Sequence, residues 1–367
     1  MSDGSTVGDH DKGAVLDQDL VTEFRKRAMT DSGAAMLSLT VAIGIRAGLY
    51  EAMADAGWLT PAKLAERAGL VERYVSEWLA AQTAWEYVRY SAEDGTYLLP
   101  DEHAAVLADP ESPAYAVGAF ELLNPLYAAE DKLLSAYKTG EGVGWGEFGP
   151  RLASATADFF YPGYASMLVQ SWLPAMDGVA AKLENGAVVA DVGCGHGHTT
   201  LLMARAYPNS TFRGFDFHEP SIEAARGLAA EQGLSGRVSF DVAKAHDFPA
   251  SGDGYDLITF FDCLHDLGDP GLALSRVSAV LADDGSCLIV EPNASPDPAG
   301  NTDLAGRRFA ASSVSVCLPG AMAQHGQYAL GNHAGEEAIR RIAEQAGLTD
   351  WRLVTETIVN RIYQAKR

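Results

Sequence analysis

Cysteine and positive charge are both scarce in this sequence. The 367 residues contain four cysteines, Cys194, Cys263, Cys287 and Cys317, without the paired spacing that is typical of disulfide frameworks and zinc motifs. We therefore expect reduced thiols and a cytoplasmic protein. Lysine and arginine number 27 against 49 aspartates and glutamates, which gives a net charge of -22. Such a surface repels phosphate backbones and anionic lipids, so neither nucleic acid nor a membrane is expected as a partner.

Long apolar runs and a basic leader are also missing. The most apolar stretch, LSLTVAIGI, is followed by Arg46, which favours a buried helix over a membrane span. The sequence starts with the polar stretch MSDGSTVGDHDKG, which resembles neither a signal peptide nor a transit peptide. Residues 1–18 are predicted to be a disordered tail. The length exceeds that of an average domain, so at least two domains are expected.

Residues 19–112 are predicted to form a helical, winged-helix-like domain. Thr60 is a suitable cap for a helix that begins at Pro61, and Gly69 is a suitable stop. A further helix precedes two short strand candidates that flank an Asp94-Gly95 turn. The order of helix, helix, helix and hairpin is that of a winged helix.

The charges of this domain indicate a dimerisation scaffold and not a DNA-binding domain. Residues 60–90 hold four basic and four acidic side chains, whereas a groove-binding helix needs a basic surface. The stretch from Ala34 to Tyr50 is apolar nearly all round, which predicts burial against more than one surface. We therefore expect a homodimer. Residues 113–184, rich in aromatics and helix formers, are expected to link the domains and line a substrate pocket.

Residues 185–367 have the pattern of a doubly wound α/β domain. Short apolar segments, among them VVADVG, TFRGFD, VSFDVA, YDLITFFD and SCLIVEP, alternate with longer helical stretches. This alternation predicts a mainly parallel sheet covered by helices on both faces. Two further strands near the end of the chain are predicted to pair antiparallel. Residues 295–335 are longer than an ordinary connection and are expected to form an inserted lid that sets acceptor specificity.

A glycine-rich loop follows the first strand of that domain. Glycines let the backbone approach a ligand closely, and the free amides of the following helix favour a carboxylate. Asp216 ends the next strand, 19 residues after the last glycine, where it can accept hydrogen bonds from ribose hydroxyls. A dinucleotide site would need glycine at His198. The loop residues concerned are Asp191, Gly193, Cys194, Gly195 and Gly197.

These motifs resemble class I S-adenosylmethionine-dependent methyltransferases, which have a Rossmann-like seven-stranded sheet. The resemblance implies that S-adenosyl-L-methionine is the cofactor and S-adenosyl-L-homocysteine the product. It places Asp191 at the amino-acid end of the cofactor, Asp216 at the ribose, and Phe217 on one face of the adenine. Lys244 stands where an Asp usually accepts from the adenine amino group, so the contact is expected to come from backbone around Ala243 or Ala245, or from Asp241. Asp262, after the fourth strand, is assigned to the same pocket.

The segment around His265 resembles the His-Asp-Trp segment of small-molecule O-methyltransferases, which also carry an N-terminal winged-helix dimerisation domain. The resemblance implies that His265 is the base, with Glu291 holding the imidazole and Asp266 beside it. Leu267 replaces the tryptophan, and a histidine at this place also has a purely structural interpretation. The implied acceptor is a small aromatic or polycyclic molecule, methylated on oxygen.

Other interpretations stay open. N-, S- or C-methylation needs only positioning and exclusion of water. A protein that binds S-adenosylmethionine without methylating, such as a lyase, cyclase or sensor, would keep the same loop. The alternating Cys194, His196 and His198 lie in a loop with little freedom to converge, so no metal is expected there.

Overall fold

The computed structural model describes residues 16–367, which form two compact units that meet in sequence between Ala104 and Ala105. Most of the predicted tail, residues 1–15, lies outside the described residues, and Gln18 already begins a helix. The predicted domain limits at residues 112 and 184 stay predictions.

The first unit has the predicted order of helices and hairpin. Thr60 Oγ1 accepts a hydrogen bond from the Lys63 amide at 3.3 Å, and Gly69 ends that helix in the left-handed region with φ of 68°. The cap and the stop are therefore confirmed. The elements are α1 (Gln18–Arg46), α2 (Leu49–Met53), α3 (Pro61–Ala68), α4 (Glu72–Ala84), β1 (Arg89–Ser91), β2 (Thr96–Leu98) and α5 (Asp101–Leu107), in which the boundary falls.

Helix α1 buries only one side. Leu37 and Val41 lie in the core, and the Thr40 carbonyl accepts from Trp78 Nε1 at 2.9 Å. On the opposite side Met36 and Leu39 are 72% and 54% exposed. The other helices of the unit cover one face of this stretch in the single chain, so the second surface that the sequence predicts for it stays a prediction.

By length and composition, α1 would also suffice to cross a membrane. Its most apolar window has a mean hydropathy of 1.4, and 22% of that window is buried. Core helices of water-soluble proteins pass the same test, so this property by itself does not distinguish the two cases.

The second unit contains a seven-stranded sheet with helices on both faces. Its helices are α6 (Gly118–Glu121), α7 (Leu123–Ala128), α8 (Glu130–Thr139), α9 (Pro150–Met167), α10 (Leu173–Ala175), α11 (Val179–Asn185), α12 (His198–Ala206), α13 (Glu219–Glu231), α14 (Pro270–Val280), α15 (Leu304–Ser312), α16 (Leu318–Met322) and α17 (Gly335–Gln345). Its strands are β3 (Val188–Val192), β4 (Thr211–Asp216), β5 (Val238–Val242), β6 (Tyr255–Phe261), β7 (Leu281–Pro292), β8 (Asp350–Glu356) and β9 (Asn360–Lys366).

The strand order is β5-β4-β3-β6-β7-β9-β8, with β9 antiparallel to both of its neighbours and the other pairs parallel. The central strands β3, β6 and β7 are buried on both faces, which explains their continuous apolar character. This confirms the doubly wound fold with its mainly parallel sheet. Within the predicted lid, α15 and α16 are joined by a π-helical turn, Ser313–Cys317.

The sheet brings four acidic residues to one edge. Asp191, Asp216, Asp262 and Glu291 lie at or just beyond the carboxyl ends of β3, β4, β6 and β7, and these strands run parallel and adjacent. Ligands of open α/β sheets bind at this edge, where the strand order reverses. The candidate site is therefore built on four neighbouring strands.

Candidate functional site

Asp191 is clamped by three hydroxyl groups. Its Oδ2 accepts from Thr199 Oγ1 at 2.7 Å and from Thr200 Oγ1 at 2.6 Å, and its Oδ1 accepts from Thr259 Oγ1 at 2.9 Å. The side chain is buried, and this desolvation raises the pKa of the carboxyl group while the hydroxyl donors lower it. Asp191 thus ties the start of α12 to β6 and fixes the glycine loop that connects β3 to α12.

Two positions of the loop require glycine. Gly193 has φ of 75°, and a Cβ there would lie 2.6 Å from Cys263 Sγ. Gly197 has φ of 77°, and a Cβ there would lie 2.5 Å from Phe240 Cζ. An alanine at either position is therefore strained in the backbone and clashes with a neighbouring side chain.

Asp216 connects the loop to the next strand. Its Oδ2 accepts from the Gly195 amide at 2.9 Å and its Oδ1 accepts from the His218 amide at 2.8 Å. Burial raises the pKa of this carboxyl group, and the two amides lower it. A carboxylate has about four lone-pair sites, so each oxygen keeps one for a further donor such as a ribose hydroxyl.

The remaining residues predicted for the cofactor pocket differ in what they offer. Phe217, 48% exposed beside Asp216, presents a free ring. The Ala243 amide donates to the Asp216 carbonyl at 3.0 Å, and the Lys244 amide donates to Asp247 Oδ1 at 2.9 Å, so neither amide is free. Cys194 is buried against β4, and burial raises the pKa of its thiol well above the usual value.

These residues fit an adenosyl ligand with a carboxylate. Helix α12 begins after Gly197 without a side-chain cap in the described part of the chain, which leaves its first amides available to an anion. His198 does not add a charge there, because burial lowers its pKa to about 4. Asp191, Gly193, Gly195 and Gly197 would shape the loop around the amino-acid end, while Asp216 and Phe217 would hold the nucleoside.

Asp262 is engaged within the protein. It has φ of 48°, and its Oδ2 accepts from Tyr164 Oη at 2.7 Å. Asn360 Nδ2 donates to its Oδ1 at 2.8 Å. Burial raises the pKa of Asp262 to about 7, although the Tyr164 hydrogen bond works against the shift. Its carboxyl group therefore joins α9 to the sheet. Because the side chain is already used in this way, Asp262 can contribute to a cofactor pocket through its backbone.

His265 lies between two carboxylates. Its Nδ1 lies 2.8 Å from Glu291 Oε2, and its Nε2 lies 3.1 Å from Asp266 Oδ1. Glu291 Oε1 also accepts from the amides of Leu264 and His265, at 3.1 and 3.4 Å, so Glu291 fixes both the ring and its backbone. Burial lowers the pKa of His265, but the charges of Asp266 and Glu291 outweigh it and raise the pKa well above 6.5.

The structure thus brings the three predicted catalytic residues together, with no ring nitrogen of His265 left without a neighbour. It also adds a residue that the sequence analysis did not single out for the site. Cys317, at the end of the π-helical turn, lies beside His265 and Asp266, and its thiol donates to Asn332 Oδ1 at 3.2 Å. No spacing in the sequence relates residue 317 to residue 265, so only the fold reveals this contact.

Two family models match the chain in succession. Residues 183–347 match a methyltransferase domain, and residues 35–109 match an Rv2258c-like winged helix-turn-helix domain. Ajmaline N-methyltransferase of Rauvolfia serpentina is 35% identical over 100 residues, which are 27% of this chain and 34% of that enzyme. The chain spans 34 to 42% of the length of three curated relatives that it matches.

Solved structures resemble the whole chain. The mitomycin 7-O-methyltransferase MmcR has a TM-score of 0.71 and 17% identity, with 96% of this chain and 100% of that chain covered. Human N-acetylserotonin methyltransferase in complex with SAM has a TM-score of 0.69 and 17% identity, with 97% and 99% covered. At these identities the likeness shows the fold. Together with the two family matches, it establishes that this chain carries a methyltransferase domain preceded by a winged helix-turn-helix domain.

Proposed function

We propose that this protein is an S-adenosylmethionine-dependent methyltransferase that acts on a small-molecule acceptor. The observation that carries the proposal is the joined unit of Asp191, the glycine loop and Asp216, in which a carboxylate with free lone pairs lies beside an uncapped helix start. S-adenosylmethionine would supply a methyl group on a sulfonium. The protein would hold its two ends, orient the acceptor and exclude water.

We further propose oxygen as the methylated atom, on an aromatic or polycyclic acceptor. The buried group of His265, Asp266 and Glu291 at the same sheet edge supports this, since a hydroxyl acceptor must lose a proton. Mitomycin 7-O-methyltransferase and other O-methyltransferases with this fold are consistent with such an acceptor. The four free thiols are consistent with a cytoplasmic enzyme.

Calorimetric titration tests the cofactor. We expect S-adenosylhomocysteine to bind with micromolar affinity and NAD not to bind, since position 198 is a histidine where a dinucleotide loop has glycine. Labelled S-adenosylmethionine with a panel of phenolic and polycyclic compounds then tests transfer. Binding of NAD alone, or of neither ligand, would contradict the proposal.

Asp216→Ala is expected to weaken S-adenosylhomocysteine binding by about 1–3 kcal/mol, because hydrogen bonds to a charged acceptor are lost. The same calorimetry measures the effect. Asp253→Ala, in an exposed loop of the same unit, is the matched control and should bind as wild type does. Equal affinities of the two variants would refute the ribose role of Asp216.

We also propose a homodimer formed through α1. The helix presents more exposed apolar side chains on the single chain than isolated surface residues would give. Met29, Met36, Leu39 and Ile43 form a row along one side of it, and Leu20 and Phe24 are also exposed nearer its start. A second copy of the chain would cover this row.

The double variant Met36→Asp/Leu39→Asp is expected to be monomeric, because two charges would have to be buried in the interface. Light scattering should give twice the chain mass of 39.0 kDa for wild type and the single mass for the variant. Thr30→Asp, at an exposed position on the side of the helix away from Met36 and Leu39, should stay dimeric. A monomeric wild type, or a dimeric double variant, would count against α1 as the interface.

A further inference from the structure

Helix α9 presents two tyrosines to the edge of the sheet that carries the glycine loop. Tyr161 and Tyr164 are three positions apart, so they lie on one side of the helix. Tyr164 is buried, and its Oη donates to Asp262 Oδ2 at 2.7 Å, just beyond β6. The Tyr161 ring lies against the imidazole of His198, the first residue of α12, with 5.1 Å between the ring centroids. This side of α9 therefore faces the carboxyl ends of β3 and β6.

The two tyrosines differ in what their hydroxyl groups bind. The Tyr164 hydroxyl has a carboxylate partner within the chain, and its ring is packed between Phe160 and Phe261, at centroid distances of 5.6 and 5.4 Å. The Tyr161 side chain is half-buried, and its hydroxyl has no hydrogen-bond partner among residues 16–367. Its oxygen is not among the buried polar atoms, so it reaches open space. Tyr161 therefore has a free hydroxyl beside the glycine loop.

This hydroxyl lies at the end of the site that would hold the carboxylate of an adenosyl cofactor. Asp216 would bind the ribose, so the amino-acid end would extend along the glycine loop towards the start of α12. Helical side chains tilt towards the N-terminus of their helix, so His198 brings the Tyr161 ring to the end of α12 that has free amides.

Charged donors are missing from this end of the site. In the described part of the chain, no arginine or lysine forms a hydrogen bond or an ion pair with residues 191–198. Burial lowers the pKa of His198 to about 4, so its imidazole is uncharged at neutral pH. A carboxylate bound here would therefore depend on neutral donors, and a phenolic hydroxyl is such a donor.

We propose that Tyr161 binds the carboxylate of the amino-acid end of S-adenosylmethionine through its phenolic O–H. The hydroxyl donates one hydrogen bond to a carboxylate oxygen, and such bonds to charged acceptors are stronger than neutral ones. The contact with His198 positions the ring, and the free amides of α12 bind the same group. The assignment rests on the proposed function and adds a recognition residue from a helix outside the βαβ segment.

Calorimetry with two ligands tests this role. One is S-adenosylhomocysteine, and the other is its decarboxylated form, which keeps the amino group and is measured by displacement so that weak binding is still resolved. Tyr161→Phe removes one oxygen and keeps the ring on His198. We expect this variant to bind S-adenosylhomocysteine about 10–100-fold more weakly, as loss of a hydrogen bond to a charged group should. Its affinity for the decarboxylated ligand should stay within about twofold of wild type.

Two further tyrosine variants separate recognition of the carboxylate from a structural effect. Tyr137, on α8, is 70% exposed, and Tyr137→Phe should bind both ligands as wild type does. Tyr164→Phe leaves Asp262 without its phenolic donor, so it should lower the unfolding temperature and affect both ligands alike. A purely structural role of Tyr161 would give this second pattern.

The outcomes distinguish the role of Tyr161 from the proposed function. Equal S-adenosylhomocysteine affinity of wild type and Tyr161→Phe, or an equal loss for both ligands, would overturn the role of Tyr161 and leave the methyltransferase proposal intact. Wild type that binds neither ligand would refute the proposed cofactor instead. A loss confined to the ligand with a carboxylate would support both.

Discussion

Replacing His265 by alanine is expected to lower turnover by about 10²–10⁴-fold while S-adenosylhomocysteine affinity stays unchanged. The imidazole is 3% exposed and is held on both nitrogens, so its position is fixed to a degree that a merely packed residue does not need. The hydrogen bonds that hold Asp191 and Asp216 in the described part of the chain do not involve this side chain. Loss of the imidazole should therefore affect the acceptor side and spare the cofactor side.

Steady-state kinetics on an acceptor found with labelled S-adenosylmethionine measures this effect, with calorimetry on the same preparation. His246→Ala, an exposed histidine in the loop after β5, is the matched control and should keep full turnover. Thermal unfolding of each variant reports whether Asp266 and Glu291, left without the ring, destabilise the chain. Turnover of a folded His265→Ala within about threefold of wild type would remove His265 from the chemistry.

Much of the fold followed from local patterns. The Thr60 cap, the Gly69 stop and the Asp94-Gly95 hairpin are each set by residues a few positions apart, and all were predicted. The alternation of apolar strands and helices predicted the parallel sheet for the same reason. Which side of α1 its own chain covers does not follow from the sequence, because an apolar helix does not reveal which of its faces packs within the chain.

The residues of the candidate site also differ in whether local sequence predicts their position. The glycine loop and Asp216 occupy one βαβ segment, so their proximity follows from chain order alone. The partners of Asp191 and Asp262 from elsewhere, Thr259 and Asn360, depend on strand register and on the antiparallel insertion of β9. Cys317 reaches the site through a π-helical turn, which no residue pattern in that stretch predicts.

Asp191→Ala is expected to reduce the free energy of unfolding by about 2–4 kcal/mol, because three buried hydroxyl groups lose a charged acceptor. This loss of stability is smaller than the sum of three separate hydrogen bonds. Burial of the carboxylate is itself unfavourable, as its raised pKa indicates, and the substitution removes that penalty. Because the loop is tied to α12 and β6 through this residue, S-adenosylhomocysteine binding should weaken with it.

Urea unfolding with and without S-adenosylhomocysteine measures both effects of this substitution. Thr259→Val is the graded control: it keeps the shape of the side chain and removes one of the three hydrogen bonds, so its loss should be about 1–2 kcal/mol. If Asp191 acts through the loop, Asp191→Ala should lower both the stability and the affinity for S-adenosylhomocysteine more than Thr259→Val does. A stable Asp191→Ala that no longer binds S-adenosylhomocysteine would instead mean that the carboxylate contacts the ligand directly, and the clamp would then be secondary to recognition.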